Sequence, residues 1–320
     1  MRKQRWLLFT VASTALAVVA AACGGGGSGG TDEALKALTG EIVADGSSTV
    51  FPITQAVAEE FQLAGAENVK VSVGSSGTGG GFKKFCAGET DLSNASRPIK
   101  DEEKAACAAE SVEYVELKVA VDGLSVVTNT ENSFVDCLTT DELKKVFVKD
   151  STVTNWSQIR AGFPSKSIKL YGPGTDSGTY DYFTDEINGE EGVGRSDSLY
   201  TPSEDDNVLV QGVSGDPNGL GYFGYAYYVQ NKDKLKVLGV DGGTGCVSPN
   251  DTSINDGSYK PLSRPLYVYV AKDSITKPQV KAFVDFYLEE VNALLQSVGY
   301  VALHESDMSA STTAWAAAVA

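Results

Sequence analysis

The chain has 320 residues, with 42 acidic against 26 basic side chains and a formal net charge of −16. A surface of that sign repels nucleic acid and anionic lipid headgroups, so neither is expected as a partner. A single histidine, His304, and the lack of any Cys-x-x-Cys spacing leave little for zinc chemistry or for a histidine-based hydrolase.

At the N-terminus, Arg2, Lys3 and Arg5 precede an apolar run from Trp6 to Val19, and Ala20-Ala21-Ala22-Cys23 follows. This is the layout of a secretory signal, with residues 1–22 expected to be removed. Cysteine at the junction, ahead of Gly24-Gly25-Gly26-Gly27-Ser28-Gly29-Gly30, resembles a bacterial lipoprotein signal. That resemblance implies lipid on Cys23 and a flexible tether over residues 23–39. The protein is then expected outside the cytoplasm, as a monomer held to the membrane only through its lipid. No other stretch reaches the roughly 20 apolar residues that a spanning helix needs.

Beyond the tether, Ile42-Val43-Ala44 reads as a buried strand. Phe51–Ala64 reads as a helix, with Ile53, Val57 and Phe61 on one face and Pro52 in its first turn. Val69–Val73 alternates as a strand, a helix carries Phe82, Phe85 and Cys86, and Leu92–Ala95 is another short strand. Asp101-Glu102-Glu103 makes an acidic first turn for the next helix. Lys83-Lys84 reads as a solvated face. This β–turn–α repetition indicates an α/β protein. Two extended apolar segments, Leu117–Thr128 and Leu266–Lys272, read as crossings between two lobes, with residues 40–128 plus 265–320 in the first and 129–264 in the second. The second lobe is expected to hold helices over Thr140–Phe147 and Tyr180–Ile187, a strand over Ile168–Tyr171, and a capped helix from Ser203-Glu204-Asp205-Asp206 to Val213. Gly189–Ser198 and Gly242–Ser258 read as surface loops, and Pro278–Val298 as a helix returning to the first lobe.

Once Cys23 is set aside, Cys86, Cys107, Cys137 and Cys246 remain, an even number in an exported chain. Of the three possible pairings, Cys86–Cys107 within one local unit and Cys137–Cys246 across a long loop are expected. No metal and no cofactor is expected.

Three segments share one design, with glycine, serine and threonine crowded before a helix. They are Asp45-Gly46-Ser47-Ser48-Thr49-Val50, Gly74-Ser75-Ser76-Gly77-Thr78-Gly79-Gly80-Gly81 and Gly172-Pro173-Gly174-Thr175-Asp176-Ser177-Gly178-Thr179. A helix N-terminus carries unpaired N–H groups and about half a positive charge. Small residues let an anion approach that end, and hydroxyls add donors. With Arg97 close by in sequence to the second turn, the three suggest a pocket for a small oxyanion.

These turns, together with Asp91-Leu92-Ser93-Asn94-Ala95-Ser96-Arg97-Pro98, Asn155-Trp156 and Asn218-Gly219-Leu220-Gly221-Tyr222, resemble the periplasmic phosphate-binding proteins of ABC importers, the PstS type. The resemblance runs in order from about residue 40 to 300. It implies a two-lobed α/β fold of the periplasmic binding protein class II type that closes over inorganic phosphate and delivers it to ABC permease subunits. It also implies that Ser48, Thr49, Val50 and Phe51 of the first turn contact the ion, with Ser76 and Thr78 of the second, Ser96 and Arg97, and Ser177, Gly178 and Thr179 of the third. Two positions depart from the family pattern: Ser96 stands where an aspartate accepts the phosphate proton, and Pro173 where an arginine precedes the third turn. Arg97 is then the expected positive charge, and Asp45, Asp176 or Asp206 the expected proton acceptor. The alternatives are another oxyanion (sulfate, molybdate or arsenate) or a phosphate-sensing surface lipoprotein. An enzyme is not expected, since Gly-x-Ser-x-Gly does not occur around Ser76 or Ser177 and His304 lies near the C-terminus.

Overall fold

The computed structural model describes residues 29–320. The leader and Cys23 lie outside the described residues. In chain order, α1 (Gly29–Lys36) leads into β1 (Gly40–Gly46), α2 (Phe51–Leu63), β2 (Val69–Val73), α3 (Thr78–Cys86), β3 (Leu92–Ala95) and α4 (Asp101–Ala109). The long β4 (Tyr114–Asn129) is followed by β5 (Cys137–Thr139), α5 (Thr140–Phe147), β6 (Lys169–Gly172), α6 (Gly178–Phe183), β7 (Tyr200–Pro202), α7 (Asp206–Gly215) and β8 (Gly219–Gly224). Then come α8 (Tyr225–Gln230), β9 (Leu235–Asp241), β10 (Cys246–Val247), α9 (Asp251–Asn255), β11 (Ser263–Ala271), α10 (Pro278–Leu294) and α11 (Glu305–Val319).

The strands form one curled sheet in the order β2-β1-β3-β11-β4-β8-β6-β7, with β9 also on β4 and carrying β5 and β10. β1 pairs in parallel with β2 and β3, which places the ends of both strands, and the turns after them, at one edge. β4 joins the halves. Its residues Tyr114–Gly123 run antiparallel to β11, and Leu124–Asn129 lie between β8 and β9. The change of partner within one strand makes β4 and β11 the two adjacent crossings.

Each half has its own core. On the β1 side, Ile53, Val57 and Phe61 of α2 pack on Phe283 and Val284 of α10 and on Ile42. On the β8 side, Trp156, Phe183, Tyr222 and Leu238 are buried together, and Phe183 stacks on Tyr222 with ring centroids 3.7 Å apart. Trp156 donates to the carbonyl of Asn218 at 3.1 Å, so it satisfies its one polar atom inside that core. The disulfides Cys86–Cys107 and Cys137–Cys246 both form, the second closing a separation of 109 residues.

Three expectations about elements need correction, and one element was not anticipated. Residues 29–36 of the expected tether are helical, because Leu35 and Leu38 have the first core to pack on. Gly242–Ser258 is not all loop, since it contains β10 and α9, and α9 is started by an Asn250/Ser253 capping box. The helix expected over Tyr180–Ile187 begins two residues earlier, at Gly178, and widens into a π turn over Thr184–Asn188. The C-terminal stretch forms α11, whose Ala-, Ser- and Thr-rich sequence offers almost no apolar face besides Trp315.

Candidate functional site

The first turn is set by Gly46. Its φ of +141° favours glycine, and a Cβ there would fall 2.1 Å from the Asn94 carbonyl oxygen. With that space left open, Ser47 N–H donates to the same oxygen at 2.9 Å, and the chain turns sharply from β1 into α2. No side chain caps α2 or α3. Both uncapped ends open on a cavity of about 690 Å3, lined by Ser47, Ser48 and Thr49 of the first turn and by Ser76–Gly80 of the second. Ser96, Arg97 and Lys100 complete that wall, while Asp181, Tyr182, Asp185, Glu186 and Glu191 face it from the other half. Arg264 and Pro265 stand between the two, at the start of β11.

Arg264 is the group that sequence reasoning missed. Its Nη2 donates to Thr49 Oγ1 at 2.8 Å, and Nε and Nη2 both reach Asp122 Oδ2 at 3.3 Å. Its guanidinium lies 3.6 Å from the centre of the Tyr182 ring. Burial pushes the Asp122 carboxyl upward and Arg264 pulls it back, so the pair holds each other in place at the base of the cleft. The guanidinium is therefore fixed by β4, by α6 and by the first turn together.

The third turn arrives from the opposite half. A Cβ on Gly178 would come 2.8 Å from Thr49 Oγ1 and 2.9 Å from Thr49 N, so the two turns touch across the cleft. Ser177 Oγ accepts from Thr179 N–H at 3.2 Å and caps α6. Asp181, one turn on, has its carboxyl raised above the ordinary range by burial and then by Glu191, against the pull of Arg264 and the Ser48 hydroxyl. The cleft thus offers the open start of α3, hydroxyls, the Arg264 guanidinium and an Arg97 already paired with Glu103, faced by four carboxyls of which Asp181 is the partly buried one. That combination suits a small oxyanion that still carries a proton.

Known proteins bear on this arrangement. A family model described as the PBP superfamily domain matches residues 29–291. Protein SphX of Synechococcus elongatus is 50% identical over 274 residues, covering 85% of this chain and 80% of that protein. The phosphate-binding protein PstS of Staphylococcus saprophyticus is 40% identical over 306 residues, covering 95% and 92%. The chain belongs to the PBP superfamily. A crystal structure described as a possible phosphate binding protein from Planctomyces limnophilus superposes with a TM-score of 0.85 at 47% identity, covering 88% of this chain and all of that one. The match extends to fold: this is a two-lobed α/β binding protein of the PstS type.

Within this PBP-superfamily cleft the residues singled out from sequence divide into two groups. Ser48, Thr49, Ser76, Thr78, Ser96 and Arg97 line the cavity, Gly178 reaches it through Thr49, and Ser177 and Thr179 stand outside the lining as the cap of α6. Thr78 Oγ1 and Ser96 Oγ lie 3.0 Å apart, and Ser96 N–H donates to Thr78 Oγ1. Arg97 carries less free charge than expected, because its fork is closed on Glu103 at 2.7 and 2.8 Å. Phe51 N–H donates to Ser47 O, so it is turned into α2, and Val50 is fully buried.

The three proposed proton acceptors do not line the cavity. Asp45 holds the second turn in place: its Oδ1 accepts from Ser76 N–H at 3.0 Å and from Ser76 Oγ–H at 2.6 Å, and Oδ2 pairs with Lys84. Burial pushes the Asp45 carboxyl up, but Lys84 and Ser76 outweigh it and hold it below its ordinary value. This also spends the Ser76 proton, and Lys84 is a partner of Asp45 rather than part of a solvated face. Asp176 is exposed, with its N–H donated to Glu204. Asp206 opens α7 near Gly224 and Tyr227 and is not part of the cavity lining.

Proposed function

We propose that this protein binds inorganic phosphate outside the cytoplasm and delivers it to the permease of an ABC importer, tethered through lipid on Cys23. The observation that carries the reading is the meeting of Thr49, Gly178 and Arg264 across the cleft. An ion seated there touches both lobes and the hinge at once, which couples binding to closure. The names of the relatives, phosphate-binding protein PstS and possible phosphate binding protein, agree with that chemistry.

In this reading the Ser48, Thr49, Thr78 and Ser96 hydroxyls and the N–H groups opening α3 surround the oxygens. Arg264 supplies the planar fork that matches two of them. Hydrogen bonds to a charged group contribute about 1.5–3 kcal/mol each, and micromolar binding needs about 8 kcal/mol. Five or six such bonds are enough after desolvation. Asp181 takes the role the departed family aspartate would have had. Its carboxylate accepts the proton of hydrogen phosphate and repels sulfate, which has none at neutral pH. No group in this scheme needs to break a bond, and the protein is a carrier rather than a catalyst.

Titration calorimetry of the leader-free chain with phosphate and with sulfate across pH 5–8 tests the reading. Tight phosphate binding and no sulfate heat are expected, whereas a chain that takes neither ion overturns it.

A further inference from the structure

The family match ends at residue 291, yet the chain continues for one more segment that touches both lobes. After α10, Gly299 turns the backbone with φ +89°, and Val301 pairs with Val121 of β4 through two hydrogen bonds of 3.1 Å. Val301 and Leu303 are buried in the second lobe's core with Leu124, Tyr225 and Ile254. α11 then returns to the first lobe. Ser311 Oγ donates to Lys118 O at 2.8 Å, and Trp315 Nε1 donates to Asp285 Oδ1 at 2.6 Å. The chain therefore crosses out to the second lobe and back again, at the back of the hinge.

Two asparagines fix this passage, one from each lobe. Asn292 in α10 accepts from Leu303 N–H at 3.1 Å and donates to Leu303 O at 3.4 Å. Asn255 in α9 donates to Ala302 O at 3.2 Å and accepts from His304 N–H at 3.3 Å. We propose that Gly299–His304 is a strap across the rear of the hinge, and that its grip by Asn255 and Asn292 favours the closed relation of the lobes.

β4 and β11 are neighbours in one ribbon, which can twist while keeping its own hydrogen bonds. The strap cannot follow so freely, because it is tied to α9 on one side and α10 on the other. When Gly178 moves away from Thr49 at the front, α9 must move relative to α10 at the back. Bonds made in one state only shift the balance by their own free energy, which for the Asn255 pair corresponds to about a three- to tenfold change in the closed population.

Deleting residues 299–320 risks misfolding, so the test uses Asn255→Ala and Asn292→Ala in the leader-free chain. Solution scattering without added ions is the first readout. A larger radius of gyration in both variants, with unchanged far-ultraviolet circular dichroism, is expected; dimensions equal to the parent's overturn the proposal. Phosphate release by stopped flow is the second readout, and it rests on the phosphate reading. Release three- to tenfold faster is expected, and parental release rates from an expanded variant also overturn the strap's role. Should the parent bind no phosphate, the scattering result decides the strap on its own.

Discussion

Arg264 Nη2 donates to Thr49 Oγ1 over 2.8 Å, joining a hinge strand to a turn 215 residues earlier in the chain. Thr49 is buried at 3% exposure, so the bond lies at the floor of the cleft rather than at its mouth. Arg97 differs, since its fork already serves Glu103. Replacing Arg264 by alanine would leave Asp122 buried without a partner and confuse binding with stability. Arg264→Lys keeps the charge and loses the fork. Phosphate affinity is expected to fall at least tenfold in Arg264→Lys, about 1.4 kcal/mol, and less than threefold in Arg97→Lys. Side-by-side calorimetry checks this; the reverse order would return the main positive charge to Arg97.

Asp181 gives a prediction about selectivity rather than strength. Its carboxylate should penalise any ion that has no proton to share. In Asp181→Asn the side chain can donate a hydrogen bond, so sulfate should become measurable while phosphate weakens. The ratio of the two affinities at pH 7.5 is expected to drop at least tenfold. A variant that still ignores sulfate would place selectivity elsewhere.

Much of this was legible in the sequence, and the limits have physical causes. α2 could be read because Pro52 marks its first turn and Ile53, Val57 and Phe61 recur at helical spacing. The three turns could be read because glycine beside hydroxyl residues has a local meaning. Arg264 could not, since it lies between Ser263 and Pro265 with no motif, and its partners Asp122 and Thr49 are 142 and 215 residues away. Asp181 was hidden for another reason: an acidic residue in a helix's first turn is what the helix dipole alone would favour. Asp45 shows the converse, a residue inside a binding motif whose task is to hold the neighbouring turn through Ser76 and Lys84. α11 lacks both period and strong caps, and it becomes a helix because β4 offers Lys118 O to Ser311 and a surface to cover.

Asp206 supplies a pH dependence. Burial, then Asp205, Glu204 and Asp122, push its carboxyl up to about 7. The folded state thus holds a proton that the unfolded chain gives up near its ordinary value of 3.8. Between those values the native state binds more protons, so stability falls as pH rises through the window and is lowest above pH 7. Asp206→Asn removes that dependence. It is expected to be more stable than the parent at pH 8, by about 4 kcal/mol at the full shift, and equal to it near pH 4. Urea unfolding at both pH values checks this, and equal curves at pH 8 would show that Asp206 is well solvated.

Gly178 tests whether the two turns must touch. An alanine there places its methyl carbon 2.8 Å from Thr49 Oγ1 and 2.9 Å from Thr49 N, closer than real Cβ contacts allow. One of those atoms belongs to the backbone of a buried turn, so it cannot swing aside as a long side chain would. Gly178 has no left-handed φ, which leaves the methyl's collision with Thr49 as the only penalty and confines it to the closed form. Thermal stability without ligand is therefore expected to stay within about 0.5 kcal/mol of the parent, the range of ordinary surface changes. Phosphate affinity is expected to fall at least tenfold, and scattering should show no contraction when phosphate is added. Contraction equal to the parent's would mean that closure stops short of this contact and that Thr49 and Gly178 need not meet around the ion.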